Sequence, residues 1–272
     1  MSPTVLITGA SQGIGQATAL KFARNGYNLV LAARNQERLD FLVEVLEKAG
    51  HPALAIATDT QDASQVKELI DRAIAHFGGI DVLINNAGIY ASGTTESFSL
   101  EDWHRVIDTN LWGYIHTIHT VLPHFLQRGS GSIVNVVSIG GKVPAPYLVP
   151  YCTSKFAVTG LTDALRSEVG PKGIHVCGIY PNLIKSDFMQ RAIFRGNSDR
   201  DTQDRRRQLE QVLSTPVVEK PEDVAKAIWE GVKNQREEVV VGSANLSIAS
   251  HHLFPGLLQW VFHKTFQNQD AR

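Results

Sequence analysis

Short apolar runs bounded by Gly, Asp or Asn alternate with longer amphipathic stretches along the first 242 residues, and this alternation constrains the fold more than any other feature. It is the pattern of βαβ units, in which a crossover helix joins two parallel strands. Strands are expected at residues 5–8, 28–33, 53–58, 82–85, 132–137, 175–180 and 238–241. Most of these runs are apolar on both faces, as strands covered by helices on either side must be. Helices are expected over residues 14–25, 35–49, 63–77, 100–126, 150–169 and 221–233. The predicted fold is an α/β, doubly wound parallel sheet.

Nothing before residue 243 reads as a linker or repeat, so one domain is expected over residues 1–250, followed by an apolar extension over 251–272. The rhythm breaks at 188–215, where the charged stretch 199–207 lies between apolar clusters; a helical lid over the domain is expected there. With 26 basic against 27 acidic residues, the net charge of −1 creates no field toward polyanions, which argues against a nucleic-acid partner. Cys152 and Cys177 are too few for a disulfide framework and lack the paired spacing of a structural zinc site. The first residues carry no signal-like segment, and no apolar run approaches the ~18 residues that span a bilayer, so a cytoplasmic protein is expected.

The first run opens onto Gly9-Ala10-Ser11-Gln12-Gly13-Ile14-Gly15 and then a helix-forming stretch. Glycines let the backbone turn tightly and approach a pyrophosphate, while the free amides of a helix start supply donors and partial positive charge. Strand, glycine turn and helix in that order mark a Rossmann-like dinucleotide site, here spaced Gly-x-x-x-Gly-x-Gly. The second run ends Leu31-Ala32-Ala33-Arg34, offering no acid to a ribose 2′-hydroxyl. Arg34 can instead fork onto a 2′-phosphate, so NADP(H) is expected over NAD(H). Asp59 follows the third run and can accept from an adenine amino group; Asn86, in Asn85-Asn86-Ala87-Gly88, can bind backbone beneath the cofactor.

Tyr151 and Lys155 stand four apart in a stretch opened by Pro150, so on a helix they share one face. An ammonium one turn from a phenol favours the phenolate and lowers a pKa that is ordinarily about 10. Ser138 ends the run 132–137 on the same carboxyl edge as the glycine turn, where its hydroxyl can hold a substrate carbonyl in line with Tyr151. Asn110 falls inside the helix expected over 100–126, where a buried amide either kinks the backbone or holds water.

With these residues in place the chain resembles the short-chain dehydrogenase/reductase superfamily, in its compact single-domain branch, over nearly its whole length. Thr8 to Gly15 resembles the cofactor loop of that family, Asn85-Asn86-Ala87-Gly88 its sheet-stabilising turn, and Asn110, Ser138, Tyr151 and Lys155 its catalytic tetrad in order. The resemblance implies that Tyr151 donates the proton and Ser138 orients the carbonyl. It implies also that Lys155 binds the nicotinamide ribose and lowers the tyrosine pKa, and that Asn110 holds a relay water. The expected NADP(H) contacts are Gly9, Ser11, Gln12, Gly13, Ile14, Gly15, Arg34, Asp59, Thr60, Asn86, Ala87, Gly88, Tyr151, Lys155, Pro181, Ile184 and Ser186. After Tyr180 the family has Pro-Gly and then a threonine, where this chain reads Pro181-Asn182 and Ser186. Asparagine tolerates left-handed backbone better than most residues, so the turn is expected to survive. The resemblance further implies a homodimer or homotetramer.

The expected reaction is NADPH-dependent reduction of a ketone or aldehyde, with Ser138, Tyr147 and Tyr151 touching the substrate. Ile139, Val143, Pro144, Tyr147 and Leu148 are the expected pocket walls, whose apolar character favours a lipophilic or aromatic carbonyl. The same fold also hosts epimerases, dehydratases and enoyl reductases, and a non-catalytic NADP(H)-binding sensor is the alternative of a different class. No metal is expected: His116 and His119, with His124 nearby, lack a carboxylate motif. The apolar tail packs on its own domain or a partner subunit, covers the substrate entrance, or lies on a membrane surface.

Overall fold

The computed structural model describes residues 2–184, 191–213 and 218–242. The chain runs β1 (Thr4–Thr8), α1 (Gly13–Ala23), β2 (Asn28–Ala33), α2 (Gln36–Lys48), β3 (Ala53–Ala57), α3 (Ala63–Phe77) and β4 (Val82–Asn85). It continues β5 (Ala91–Ser92), α4 (Leu100–Ile107), α5 (Gly113–Arg128), β6 (Gly131–Val136), α6 (Val149–Val169) and β7 (Ile174–Tyr180). The last described elements are β8 (Ile193–Phe194), α7 (Asp199–Leu213), α8 (Pro221–Lys233) and β9 (Glu238–Val240). The long strands form one parallel sheet in the order β3-β2-β1-β4-β6-β7-β9, and β5 pairs with β8 in a separate parallel ribbon. This is the doubly wound α/β sheet that the alternation predicts, in a single domain.

The period-two alternation of side chains in β1 divides the core. Val5 and Ile7 pack with Phe22, Leu42 and Ile228 on the face covered by α1, α2 and α8. Leu6 points the other way, into a second cluster with Leu69, Val121 and Phe125 from α3 and α5. Burying each such side chain contributes roughly 1.5–3 kcal/mol, so both faces of the sheet hold it in place. Local signals fix the helix ends. The Asp62 carboxylate caps α3 by accepting from Ser64 N (2.8 Å) and Gln65 N (3.2 Å), and Gly78 closes the helix at φ +81°.

The strand order reverses between β1 and β4: the chain moves outward through β2 and β3, then returns to the other side of β1. At such a switch point the connections leave the carboxyl edge in opposite directions and open a crevice. The helix expected over 100–126 is interrupted. A π-helical turn, Asp108–Trp112, separates α4 from α5 and contains the fully buried Asn110. The excursion over 188–215 holds the expected helix as α7, but also the strand β8, too short to leave a sequence pattern. Among the described residues, no helix is long and apolar enough to cross a membrane.

Candidate active site

The glycine turn between β1 and α1 lies at the switch point, and its spacing follows from backbone contact. Gly9 adopts φ +65° and Gly13 φ +54°, conformations that L side chains rarely enter. At Gly15 a Cβ would stand 2.3 Å from the Gly9 carbonyl oxygen and 2.8 Å from the Asn86 amide nitrogen. Asn86 binds the turn from β4: its Nδ2 donates to Thr8 O (3.0 Å) and Gly9 O (3.3 Å). The backbone nitrogens of Asn86 and Ala87 donate in turn to Thr8 Oγ1, at 3.0 and 3.1 Å. No side chain caps α1 and no acid occupies its first turn, so its free amides keep their positive end open.

Gly9 and Gly13 border a cavity of about 410 Å³ that also reaches Arg34, Asp59, Ser138, Tyr151 and Lys155. The cradle fits a dinucleotide diphosphate, because Gly9 and Gly13 present bare backbone to the cavity beside the uncapped start of α1. Arg34, half-exposed at the end of β2, lies 4.0 Å from an Asp59 carboxylate oxygen. Arg38, one turn into α2, donates through Nη1 to Gln12 Oε1, bringing a second guanidinium to the glycine turn.

On the other side of the cavity Tyr151 and Lys155 are both buried on α6. Lys155 Nζ donates to the carbonyl of Val136 (3.0 Å), which also accepts from the Tyr114 hydroxyl (2.8 Å). Burial drives the Lys155 ammonium down to about 7. Burial likewise pushes the Tyr151 phenol up to about 12, against a smaller downward pull from its hydrogen bond with Ser138. Burial of the phenol thus outweighs the lowering that the spacing of Tyr151 and Lys155 predicts; with both groups desolvated, the neutral phenol is favoured. Ser138 is held at the end of β6 as its Oγ accepts from Gly140 N (3.1 Å).

Asn110 does not line the cavity. Its Oδ1 accepts from Ile89 N (2.8 Å), and its Nδ2 donates to Ile89 O (2.9 Å) and Ser154 Oγ (3.0 Å). Of the two roles its position suggested, a distorted helix is present. The amide ties the segment after Asn-Asn-Ala-Gly to α6, the helix that carries Tyr151.

Of the other expected contacts, Gln12, Gly13, Ile14, Thr60, Ala87, Gly88, Pro181 and Ile184 line the cavity, whereas buried Ser11 and Gly15 stand behind its surface. Ser186 lies outside the described residues, as do parts of the expected lid and the whole segment 251–272. Ile139, Val143 and Leu148 are walls as expected, but Pro144 and Tyr147 are not. Tyr147 adopts φ +63°, and the Arg205 guanidinium of α7 sits 4.3 Å from its ring centroid, so it underlies α7 instead. Asn182 needs no left-handed tolerance: Tyr147 and Gln235 are the positive-φ residues other than glycine among those described. His116 Nδ1 donates to Thr60 O (2.9 Å) and His124 Nε2 accepts from Ile80 N (3.2 Å), so both serve the backbone.

Several site residues carried no motif. Tyr90 stacks obliquely on Tyr151 with centroids 5.1 Å apart, and Phe194 packs in the same cluster. Leu209 and Leu213 of α7 complete the wall. Tyr90 stands five residues past Asn85 at the carboxyl edge, which is the one signal that points to it.

The fold and the cradle define a dinucleotide-binding α/β protein. The model of the short chain dehydrogenase family matches residues 3–195, and the chain belongs to this family. It is therefore an oxidoreductase whose family acts on carbonyls and alcohols as small-molecule substrates. Among curated relatives, a 3-oxoacyl-[acyl-carrier-protein] reductase of Staphylococcus aureus is 37% identical over 189 residues, covering 69% of this chain and 77% of its own. A short-chain dehydrogenase/reductase of Burkholderia phymatum solved with NAD has a TM-score of 0.86 at 28% identity, covering 94% of this chain and 95% of its own. A short-chain dehydrogenase of Sphingobium yanoikuyae solved with NADPH has a TM-score of 0.77 at 30% identity, covering 95% and 94%. Related sites thus take either nicotinamide cofactor.

Proposed function

We propose that the protein reduces a ketone or aldehyde with NADPH, using Tyr151 as proton donor. The observation that carries this reading is the burial of Tyr151 beside Ser138 and Lys155, in the cavity the glycine turn borders. Bound to the cradle, the nicotinamide cofactor supplies the hydride. Ser138 orients the substrate carbonyl through its hydroxyl, and Tyr151 gives its phenolic proton to the oxygen as negative charge develops there. A phenol pushed up to about 12 is protonated at neutral pH, as a donor must be. Lys155, tied to Val136, holds the ribose and stabilises the phenolate left after transfer; Asn110 positions both through α6.

Gly9, Gln12, Gly13 and Ile14 hold the diphosphate, while Gly15 lets α1 pack on the Gly9 carbonyl and Asn86 keeps the turn in shape. Arg34, where an NAD site offers an acid, supports the choice of NADPH, and Arg38 adds charge on the same side. The walls Tyr90, Val143, Leu148 and Leu209 favour a lipophilic carbonyl, and the Staphylococcus aureus relative supports 3-oxoacyl thioesters as the first class to try. The helix α7 serves as the lid. Exposed Trp112 and Phe156, beside and on the helices α5 and α6, support self-association. Two buried, unbridged thiols suit a reducing cytoplasm.

The test is NADPH oxidation screened over ketones, aldehydes, 3-oxoacyl thioesters, steroids and quinones, with NADH in parallel. Turnover of at least one carbonyl class, faster with NADPH, is expected. Inactivity across the panel would favour the sensor reading.

A further inference from the structure

A second cavity, of about 460 Å³, lies behind the substrate wall and is lined by Arg105 of α4, Arg191 and Arg195 on either side of β8, and Arg206 of α7. Among the described residues, no Asp or Glu lines it. Arg195 is neutralised by Asp102, with Nε and Nη2 donating to the two carboxylate oxygens at 2.8 and 2.7 Å. Arg105 and Arg206 are exposed and form no ion pair among the described residues. The Arg206 guanidinium lies 5.3 Å from the Phe194 ring centroid, which holds it over the cavity.

Guanidinium groups stay charged at every physiological pH and repel one another unless an anion joins them. Here Arg105 and Arg206, which form no ion pair among the described residues, converge from α4 and α7, which suits a group with several oxygens accepting from different directions. The partition from the catalytic cavity is thin. Arg191 lines both cavities, and Phe194 faces the arginines while packing with Tyr90 and Tyr151 on the other side. An extended substrate whose carbonyl lies at Tyr151 therefore has an anion-binding chamber immediately beyond its wall.

We propose that this cavity binds the phosphate-class anion on the tail of the carbonyl substrate. The inference rests on the reductase reading, but its test does not need turnover. Calorimetry on the NADPH-loaded protein would compare coenzyme A with pantetheine, the same arm without phosphates, and with inorganic pyrophosphate. The NADPH occupies the cofactor site, so coenzyme A reports on the second site. Coenzyme A is expected to bind at least ten-fold more tightly than pantetheine, and the double variant Arg105→Gln, Arg206→Gln to lose that margin while keeping its NADPH affinity. Equal affinity for coenzyme A in the double variant and the parent would overturn the proposal. So would pyrophosphate binding without coenzyme A binding, which would assign the cavity to a free anion. If the double variant loses NADPH affinity, Arg105→Lys and Arg206→Lys are measured instead; they are expected to keep the preference for coenzyme A over pantetheine in weakened form, and its full retention would overturn the assignment. Absence of NADPH oxidation with every carbonyl would instead strike the reductase reading, leaving the binding result to stand alone.

Discussion

Asn110 holds Ile89 from both sides, accepting its N–H at 2.8 Å and donating to its C=O at 2.9 Å, so one side chain satisfies both backbone groups of that residue as a neighbouring strand would. The π-helical turn that carries Asn110 is what brings the amide inward. Asn110→Ala leaves the two buried backbone groups of Ile89 without a partner, at a cost of about 1–3 kcal/mol for each, while Ser154 loses one bond but still donates to Tyr151 O (2.7 Å). The expected result is a Tm lower by several degrees and a kcat lower by at least ten-fold with KM for NADPH little changed. Thermal unfolding and steady-state kinetics read the two effects separately.

The cofactor cradle gives a steric prediction. In Gly15→Ala the new methyl meets the Gly9 carbonyl at 2.3 Å, a backbone contact that no side-chain rotation relieves. NADPH affinity is expected to fall by at least ten-fold, measured by fluorescence titration, with a smaller loss of stability.

Cofactor choice is expected to reside in Arg34. Removing a guanidinium that forks onto a phosphate costs about 1.5–3 kcal/mol, so Arg34→Ala raises KM for NADPH roughly ten-fold or more and leaves that for NADH nearly unchanged. Arg38→Ala produces a smaller shift in the same direction. An equal change for both cofactors would remove the 2′-phosphate assignment.

The buried lysine makes stability depend on pH. Because burial brings Lys155 down to about 7, the folded protein releases this proton near pH 7 while the unfolded chain holds it to about 10.4. Over that interval the unfolded state carries more protons, and stability rises with pH. Tyr151 acts oppositely: pushed up to about 12, it keeps its proton in the fold after the unfolded chain has lost it, so stability falls again above about pH 10. In Lys155→Met the rise of Tm between pH 7 and 9 is expected to flatten relative to the parent; parallel profiles would contradict the burial of a titrating ammonium.

Much of this architecture was legible because the signals are local. Runs such as 28–33 and 82–85 are apolar on both faces and bounded by breakers, and they coincide with β2 and β4 residue for residue. The helices over 63–77 and 221–233 carry caps at their starts and match α3 and α8 in the same way. Glycines 9, 13 and 15 were legible because only their absent side chains fit the turn. What stayed hidden depends on contacts far apart in sequence. Apolar periodicity runs through residues 100–126, but Asn110 bonds a backbone 21 positions away and breaks the helix there. Tyr147 looked like a wall by lying between Ser138 and Tyr151, yet its ring is drawn under Arg205, 58 residues on. Tyr90 and Phe194 meet only because β5 and β8 pair across a hundred residues. At Asn182 the change from glycine suggests left-handed backbone, which the turn does not require.

The central claim is that the Tyr151 phenol supplies the proton. The direct measurement is single-turnover NADPH oxidation by Tyr151→Phe, with a carbonyl the parent reduces and with NADPH binding titrated in the same preparation. The account predicts undiminished cofactor binding and a rate lower by at least a hundred-fold, within the reach of lost general acid catalysis. A Tyr151→Phe protein that reduces the carbonyl at the parental rate would contradict it.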